Sequence, residues 1–72
     1  MNQRRYPAVS GKIVVKALEN LGFRHVRTRG SHFIMRKDER VVAIPVHGNR
    51  PLPTGTLSSI CRKAGIEPED LR

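Results

Sequence analysis

The fold is decided by Arg27-Thr28-Arg29-Gly30-Ser31-His32-Phe33-Ile34-Met35-Arg36, which has the pattern of two strands joined by a tight turn. Gly-Ser between residues of strand character is typical of a two-residue hairpin, in which the glycine supplies a positive φ. Alternation along the second strand predicts that Phe33 and Met35 share one face of the sheet, and that His32, Ile34 and Arg36 share the other. The hairpin therefore predicts a sheet with one apolar and one basic face.

A helix precedes this hairpin. Ser10 can cap its first turn, and Gly22 stands where helices commonly end on a residue with positive φ. Between them, apolar residues recur at three- and four-residue spacing, which is typical of a helix with one buried face. The helix is predicted from about Gly11 to Leu21. Its buried stripe is predicted to be Ile13, Val14, Ala17, Leu18 and Leu21.

Two further segments complete the predicted sheet. In the first strand, period-two alternation predicts that Val26 belongs to the core and that Arg27 and Arg29 share the face of His25. Residues 41–46 are mostly apolar and form the third strand, in which Pro45 lacks an N–H donor and belongs at a strand end or an edge. The following residues, 47–53, are a loop by their Gly, Asn and Pro content.

A second helix follows the loop, with Thr54 as its predicted N-cap and Gly65 just after its end. Its buried stripe, at i, i+3, i+4 and i+7 spacing, consists of Leu57, Ile60, Cys61 and Ala64. This predicts that Cys61 is a small core residue and not a reactive thiol. Pro68 starts, at most, a one-turn helix through Leu71.

The predicted fold class is α+β: a helix, a three-stranded antiparallel sheet and a helix. Both helices on one face of the sheet would give the layout of double-stranded-RNA-binding domains and leave the other face for a ligand. Residues 1–9 lack periodicity and are assigned to a loose basic arm, and residues 10–72 to a single domain.

The charge balance indicates a polyanionic partner. The 72 residues include 14 Lys and Arg against 6 Asp and Glu, which gives a net charge of +8. Arginines outnumber lysines, which favours bidentate contacts with phosphate. The partner is nucleic acid, an acidic protein, or each in turn, and a solvated basic surface is the plain alternative.

Cysteine and apolar content bear on the compartment. A single cysteine excludes an internal disulfide, which fits a reducing cytosol. No apolar run approaches the roughly 20 residues that span a bilayer, and the first residues lack the apolar region of a signal peptide. We therefore expect a cytoplasmic protein with no membrane partner.

His32, the first residue after the hairpin turn, is the candidate catalytic residue. A side chain that exchanges protons near neutral pH, set among fixed positive charges, suits chemistry on a phosphodiester. A lone strand histidine is nevertheless more often a bystander. His47 could act as a second acid or base, and His25 is a weaker choice; either could be an ordinary loop or strand histidine.

Several other residues are candidates for binding phosphate, although each has an ordinary structural explanation. Arg27, Arg29 and Arg36 would neutralise charge on a reacting phosphate, or they are solvated strand residues. The backbone N–H groups that start at Thr54 could hold a phosphate, or need only an N-cap. Ser31 belongs to the same turn. A metal enzyme is disfavoured, because three histidines and one inward cysteine give no closely spaced ligand pair.

Fragments along nearly the whole chain resemble the HicA toxin family, the ribonuclease half of bacterial HicA-HicB toxin-antitoxin pairs. Their order and spacing together make the match specific. The matching fragments are Ser10-Gly11-Lys12, the segment from Leu18 to Phe23, Gly30-Ser31-His32, Ile44-Pro45-Val46-His47, Pro53-Thr54-Gly55-Thr56-Leu57 with Ile60, and Ala64-Gly65-Ile66.

This resemblance implies a double-stranded-RNA-binding-like domain that cleaves messenger RNA without a metal or other cofactor. It also implies a HicB antitoxin that covers the active site. The family's catalytic histidine stands in a Gly-Ser-His motif, which maps onto His32.

Two other function classes stay open on the sequence. A non-catalytic RNA-binding module would usually carry lysines at the start of its last helix, where this chain has Thr54-Gly55-Thr56-Leu57-Ser58. A protein-interaction partner would use the basic face only to match an acidic surface.

Overall fold

The secondary structure follows the predicted order, which confirms the α+β fold. The computed structural model describes residues 6–71, so most of the predicted arm, residues 1–5, and residue 72 lie outside the described part. The elements are α1 Gly11–Asn20, β1 Arg24–Arg29, β2 His32–Lys37, β3 Arg40–Pro45, α2 Thr54–Ala64 and a final 3₁₀ helix Pro68–Leu71.

Helix α1 begins and ends where the capping signals predict. Ser10 is its N-cap, and its hydroxyl oxygen accepts a hydrogen bond from the Ile13 N–H at 3.4 Å. Gly22 follows the helix with φ 100°, a backbone conformation that glycine adopts without a steric penalty. The prediction that Ile13 is buried is wrong, because the helix turns residues 11, 14, 15 and 18 inward and leaves Ile13 50% exposed.

The sheet is antiparallel with the order β1-β2-β3, so β2 is central. Met35 pairs with Val42, and Phe33 pairs with Ile44. Met35, Val42 and Ile44 are almost fully buried and share one core with α1 and α2, so this face of the sheet is the covered one.

The opposite face of the sheet is open. Register brings Arg29 opposite His32, Arg27 opposite Ile34, and Arg24 opposite Arg36. Directly paired residues project from the same face of an antiparallel sheet. The β1 arginines therefore share the open face with His32, as the hairpin pattern predicts.

A β-bulge in β1 overturns two predictions. The register shifts between His25 and Arg27, so that His25 pairs with Met35 on the covered side. An extra residue in one strand reverses the alternation beyond it. His25 is therefore not on the face of Arg27 and Arg29, and Val26 is 46% exposed instead of buried in the core.

Helix α2 buries the predicted stripe of Leu57, Ile60, Cys61 and Ala64, which confirms Cys61 as a core residue. The helix packs beside β3 and contacts the final 3₁₀ helix. Its N-cap is Pro53 and not Thr54, and no side chain caps it. The expectation for Thr54 is wrong by one position.

The start of α1 is joined to the loop that precedes α2. Ser10 forms an isolated bridge with Pro51, and the Val9 carbonyl accepts a hydrogen bond from the Leu52 N–H at 2.8 Å. At Gly11, a Cβ atom would overlap the carbonyl oxygen of Pro45, so only glycine permits this close approach. These contacts fix residues 46–53 against the body of the domain.

Candidate active site

His32 stands at the meeting point of two surface hollows. It is exposed, it is the first residue of β2, and Arg29 and Pro45 lie opposite it on the neighbouring strands. Both hollows are lined by His32, Pro45 and Thr56. A group bound in either hollow would therefore touch the same imidazole.

The first hollow runs along α2 and has a volume of about 380 Å³. Beyond the shared residues it is lined by Ala43 of β3 and by Gly55, Ser59, Ile60 and Lys63 of α2. It thus leads from the N-terminal turn of α2, beside His32, toward the ammonium group of Lys63. An extended anion could occupy it along its length.

The second hollow, of about 440 Å³, adds basic groups from the loop. His47 and Arg50 line it together with Pro51, Leu52 and Pro53. Two histidines and one guanidinium thus surround one concave surface. We call this part of the molecule the histidine end: residues 30–32, residues 45–53 and the first turn of α2.

The ring of His47 contacts the side chain of Ser31, the residue that precedes His32. Ser31 Oγ lies 3.4 Å from His47 Nε2. The Ser31 carbonyl also accepts a hydrogen bond from the Val46 N–H at 2.8 Å, and the His47 carbonyl accepts one from the Arg50 N–H at 3.3 Å. Hairpin turn and loop are therefore connected at the site.

The first turn of α2 opens onto both hollows. Because no side chain caps this helix, its first N–H groups are available to a ligand, and the helix dipole favours an anion there. The predicted residue Thr54 begins the helix and is exposed, but it lines neither hollow, whereas Thr56 lines both. A Cβ on Gly55 would enter open space, so a ligand can approach this backbone closely.

The three arginines predicted to bind phosphate, Arg27, Arg29 and Arg36, lie at different distances from His32. Arg29 lies directly opposite it, and Arg27 is two pairs further along the ladder, on the same face. Arg36 is near the far end of β2, and its Nε donates to the Asp38 carbonyl at 2.9 Å. At about 3.3 Å per residue, Arg36 is too distant to share a phosphate with His32.

Sequence reasoning missed Arg50 and Lys63, and it expected residues 54–56 to offer backbone N–H groups without expecting Thr56 to line both hollows. Arg50 lies in a loop whose course depends on contacts with Val9 and Ser10, far away in the sequence. Lys63 could have been found, since the helical period places residues 56, 59 and 63 on one face of α2. That face carries the first hollow.

The opposite end of the sheet contains a larger hollow, of about 640 Å³, with a different character. There Lys37 Nζ donates to the Leu21 carbonyl at 2.7 Å, and Arg40 donates to the Lys63 carbonyl at 3.1 Å. These groups close the C-terminal ends of α1 and α2, where cations are favourable. Because Asp38 and Glu39 also line it, this capped end, residues 37–40 with the two helix ends, has mixed charge.

A comparison with models of known protein families shows to which family this chain belongs. Residues 11–66 match the model described as the HicA toxin of bacterial toxin-antitoxin systems. The chain belongs to the HicA toxin family. HicA toxins are generally ribonucleases, so membership supports a nuclease and a toxin-antitoxin type of partner. The matched range includes His32 and every residue that lines the two hollows at His32, and no curated protein matches the chain.

Two further observations concern this HicA-family chain. Within residues 6–71, no three His, Cys, Asp or Glu side chains are grouped closely enough to hold a metal ion. Neither of the described α-helices has the length and apolar character needed to cross a membrane.

Proposed function

We propose that this chain is the toxin of a type II toxin-antitoxin system and a metal-independent endoribonuclease of the mRNA interferase kind. His32 is its general acid or base. Its substrate is messenger RNA in the cytoplasm, and a HicB-type antitoxin neutralises it by covering the active site. Family membership supports the toxin and nuclease classes, and the surroundings of His32 support the finer assignment.

The observation that carries the proposal is the position of one exposed imidazole between two hollows rich in anion-binding groups. Arg50 and Lys63 line these hollows, and Arg29 pairs with His32 across the strands. An RNA strand carries a phosphate at every nucleotide, so such a surface can hold phosphates on both sides of the reacting one. The net charge of +8 favours the same class of ligand.

The chemistry uses the 2′-hydroxyl of the RNA itself. A base removes its proton, the 2′-oxygen attacks the adjacent phosphorus, and the bond from phosphorus to the 5′-oxygen breaks. The products are a 2′,3′-cyclic phosphate and a free 5′-hydroxyl, and side chains that transfer protons can carry out this step without a metal. Negative charge grows on the phosphorane oxygens, where Arg29, Arg50 and the N–H groups of α2 would stabilise it.

The decisive experiment compares His32→Gln with His25→Gln. Each variant is expressed without antitoxin, and the purified protein is incubated with RNA in the presence of a chelator. Wild type and His25→Gln are expected to arrest growth and to leave cyclic-phosphate ends. For His32→Gln, we expect the arrest to be relieved and cleavage to fall by about 10²–10⁴-fold, since that is the usual contribution of one acid-base group.

His25 is the matched control because it is an exposed histidine of the same sheet that lines neither hollow. Thermal unfolding of both variants checks that the fold is retained. Full cleavage by His32→Gln would remove His32 from the mechanism. RNA binding without cleavage by the wild type would favour the non-catalytic RNA-binding module instead.

A further inference from the structure

We infer that His47 is the second proton-transfer residue of the ribonuclease site, with a role complementary to that of His32. The inference rests on the proposed function and extends it. Cleavage through a cyclic phosphate requires one proton to leave the 2′-oxygen and another to reach the 5′-oxygen. Two side chains on either side of the phosphorus do this better than one.

His32 and His47 have access to the same ligand, because they line one open hollow, with Arg50 and Thr56 beside them. A phosphate held there by the guanidinium of Arg50 would occupy the hollow that both rings line. His25, the third histidine, lines neither hollow.

A contact with the hairpin turn orients the His47 ring. His47 Nε2 contacts Ser31 Oγ, and Ser31 is the residue before His32 in the chain. The distance of 3.4 Å is at the long end of the hydrogen-bond range. The hydroxyl can therefore orient the ring, and this weak contact can be replaced by a hydrogen bond from His47 to a substrate oxygen. By contrast, His25 Nε2 is bonded to Thr28 Oγ1 at 2.9 Å, and the His25 ring stacks on Phe33 at 4.4 Å.

The backbone around His47 is held in place by contacts with two other parts of the chain. The loop that carries His47 is attached at Pro51 and Leu52 to residues 9 and 10, and at Val46 to Ser31. Catalytic groups act efficiently when their positions are set before the substrate arrives. A histidine in a loop attached at these points meets that requirement.

The proton balance is then complete. One histidine, as the neutral base, takes the proton of the 2′-hydroxyl as the new bond to phosphorus forms. The other, as the cationic acid, gives a proton to the 5′-oxygen as its bond to phosphorus breaks. After cleavage the first ring is protonated and the second is neutral, and proton exchange with water restores the starting state.

The test uses the purified full chain and two RNA substrates that differ at one atom. The first has an ordinary linkage, and the second has sulfur in place of the bridging 5′-oxygen at the cleaved position. A thiolate leaves without being protonated, so the sulfur substrate does not need the acid. Wild type, His32→Gln, His47→Gln, His47→Lys and His25→Gln are compared on both.

On ordinary RNA, we expect His47→Gln to lose about 10²-fold or more in kcat, and His47→Lys to stay equally impaired although it keeps a positive charge. On the sulfur substrate, we expect one of the two variants, His32→Gln or His47→Gln, to recover to within about tenfold of wild type. The other stays slow, and the recovering variant identifies the acid.

The pH profile of kcat gives an independent readout. The titratable and charged side chains that line the hollow around His47 are those of His32 and Arg50. A pair with complementary roles gives a bell-shaped wild-type profile, and His47→Gln is expected to lose one limb of it. A residue that only binds phosphate would raise KM and leave both limbs in place.

Three results would overturn the inference: full activity of His47→Gln, restored activity in His47→Lys, or rescue of both or neither of the glutamine variants by sulfur. In each case a strong loss in His32→Gln would leave the proposed ribonuclease intact. Loss of the proposed function itself would appear differently, as a wild type that cleaves neither substrate.

Discussion

The histidine end and the capped end of the sheet are both rich in basic side chains, but they use them differently. At the capped end, Lys37 and Arg40 donate to the last carbonyl groups of the helices. At the histidine end, His32, His47 and Arg50 line a hollow that is open to solvent. The basic groups of the capped end serve the fold, whereas those of the histidine end face outward.

This comparison teaches that neither charge nor size identifies the site. The capped end has the larger hollow, about 640 Å³ against about 380 and 440 Å³ for the two at His32. What distinguishes the histidine end is the exposed imidazole of His32 beside cations that do not cap a helix. Substitutions at the two ends should therefore separate activity from stability.

The largest expected difference is between Arg50→Gln and Arg40→Gln. A hydrogen bond to a charged group contributes about 1.5–3 kcal/mol, so Arg50→Gln should lower kcat/KM for RNA about 10–100-fold. Arg40→Gln should leave kcat/KM unchanged, because its guanidinium reaches the end of α2 and not the hollows at His32. Steady-state cleavage of one labelled RNA by both variants measures this.

Equal losses of cleavage in the two folded variants would contradict the assignment of Arg50 to RNA cleavage and of Arg40 to the fold. A loss of cleavage only in Arg40→Gln would assign the RNA site to the capped end instead.

A second test concerns how the histidine end is fixed to the domain. Gly11→Ala introduces a Cβ that overlaps the Pro45 carbonyl, and overpacking of this kind costs about 1–3 kcal/mol in the free energy of unfolding. Gly55→Ala is the matched control, because it is also in the first turn of a helix but its Cβ enters open space. Urea unfolding midpoints, at unchanged slope, give the two values.

If Gly11→Ala unfolded at the same urea concentration as wild type, the close approach of α1 to β3 would not stabilise the domain.

The smallest expected effect is on stability at the capped end. Removing the hydrogen bond from Arg40 to the end of α2 should lower the free energy of unfolding by about 1 kcal/mol. Lys12→Gln, a neutralisation in the first turn of α1, should cause no loss, since a cation there opposes the helix dipole. Thermal unfolding of both variants would reveal the difference, and equal melting temperatures would contradict the capping role.

Local signals in the sequence predicted most of the fold. Ser10 and Gly22 delimit α1, the Gly30-Ser31 turn joins β1 to β2, and Pro45 ends the edge strand β3, all as expected. Each of these depends on neighbours within a few positions. That is why a pattern read along the chain was sufficient.

The wrong predictions share a different cause. Strict alternation predicts that Val26 is buried, but alternation fails at a bulge, and a bulge depends on the partner strand, which the sequence of β1 does not contain. Helical periodicity predicts a buried stripe that includes Ile13, but the position of the sheet decides which part of that stripe is covered.

The candidate site was only partly visible for the same reason. His32 stands out through its turn, and His47 could be named as a possible second group. Their common hollow depends on residues 51–53 meeting residues 9 and 10, a contact between distant parts of the chain. No local pattern encodes that contact.

The joining of residues 9 and 10 to residues 51 and 52 has a consequence for synthesis. A ribosome makes the hairpin with His32 well before it makes α2, so a nascent chain carries the imidazole without the surroundings that Pro51, Leu52 and Thr56 provide. The hollow at His32 therefore forms only after α2 has been synthesised. Under the proposed function, a chain still on the ribosome would lack the complete ribonuclease site until that point.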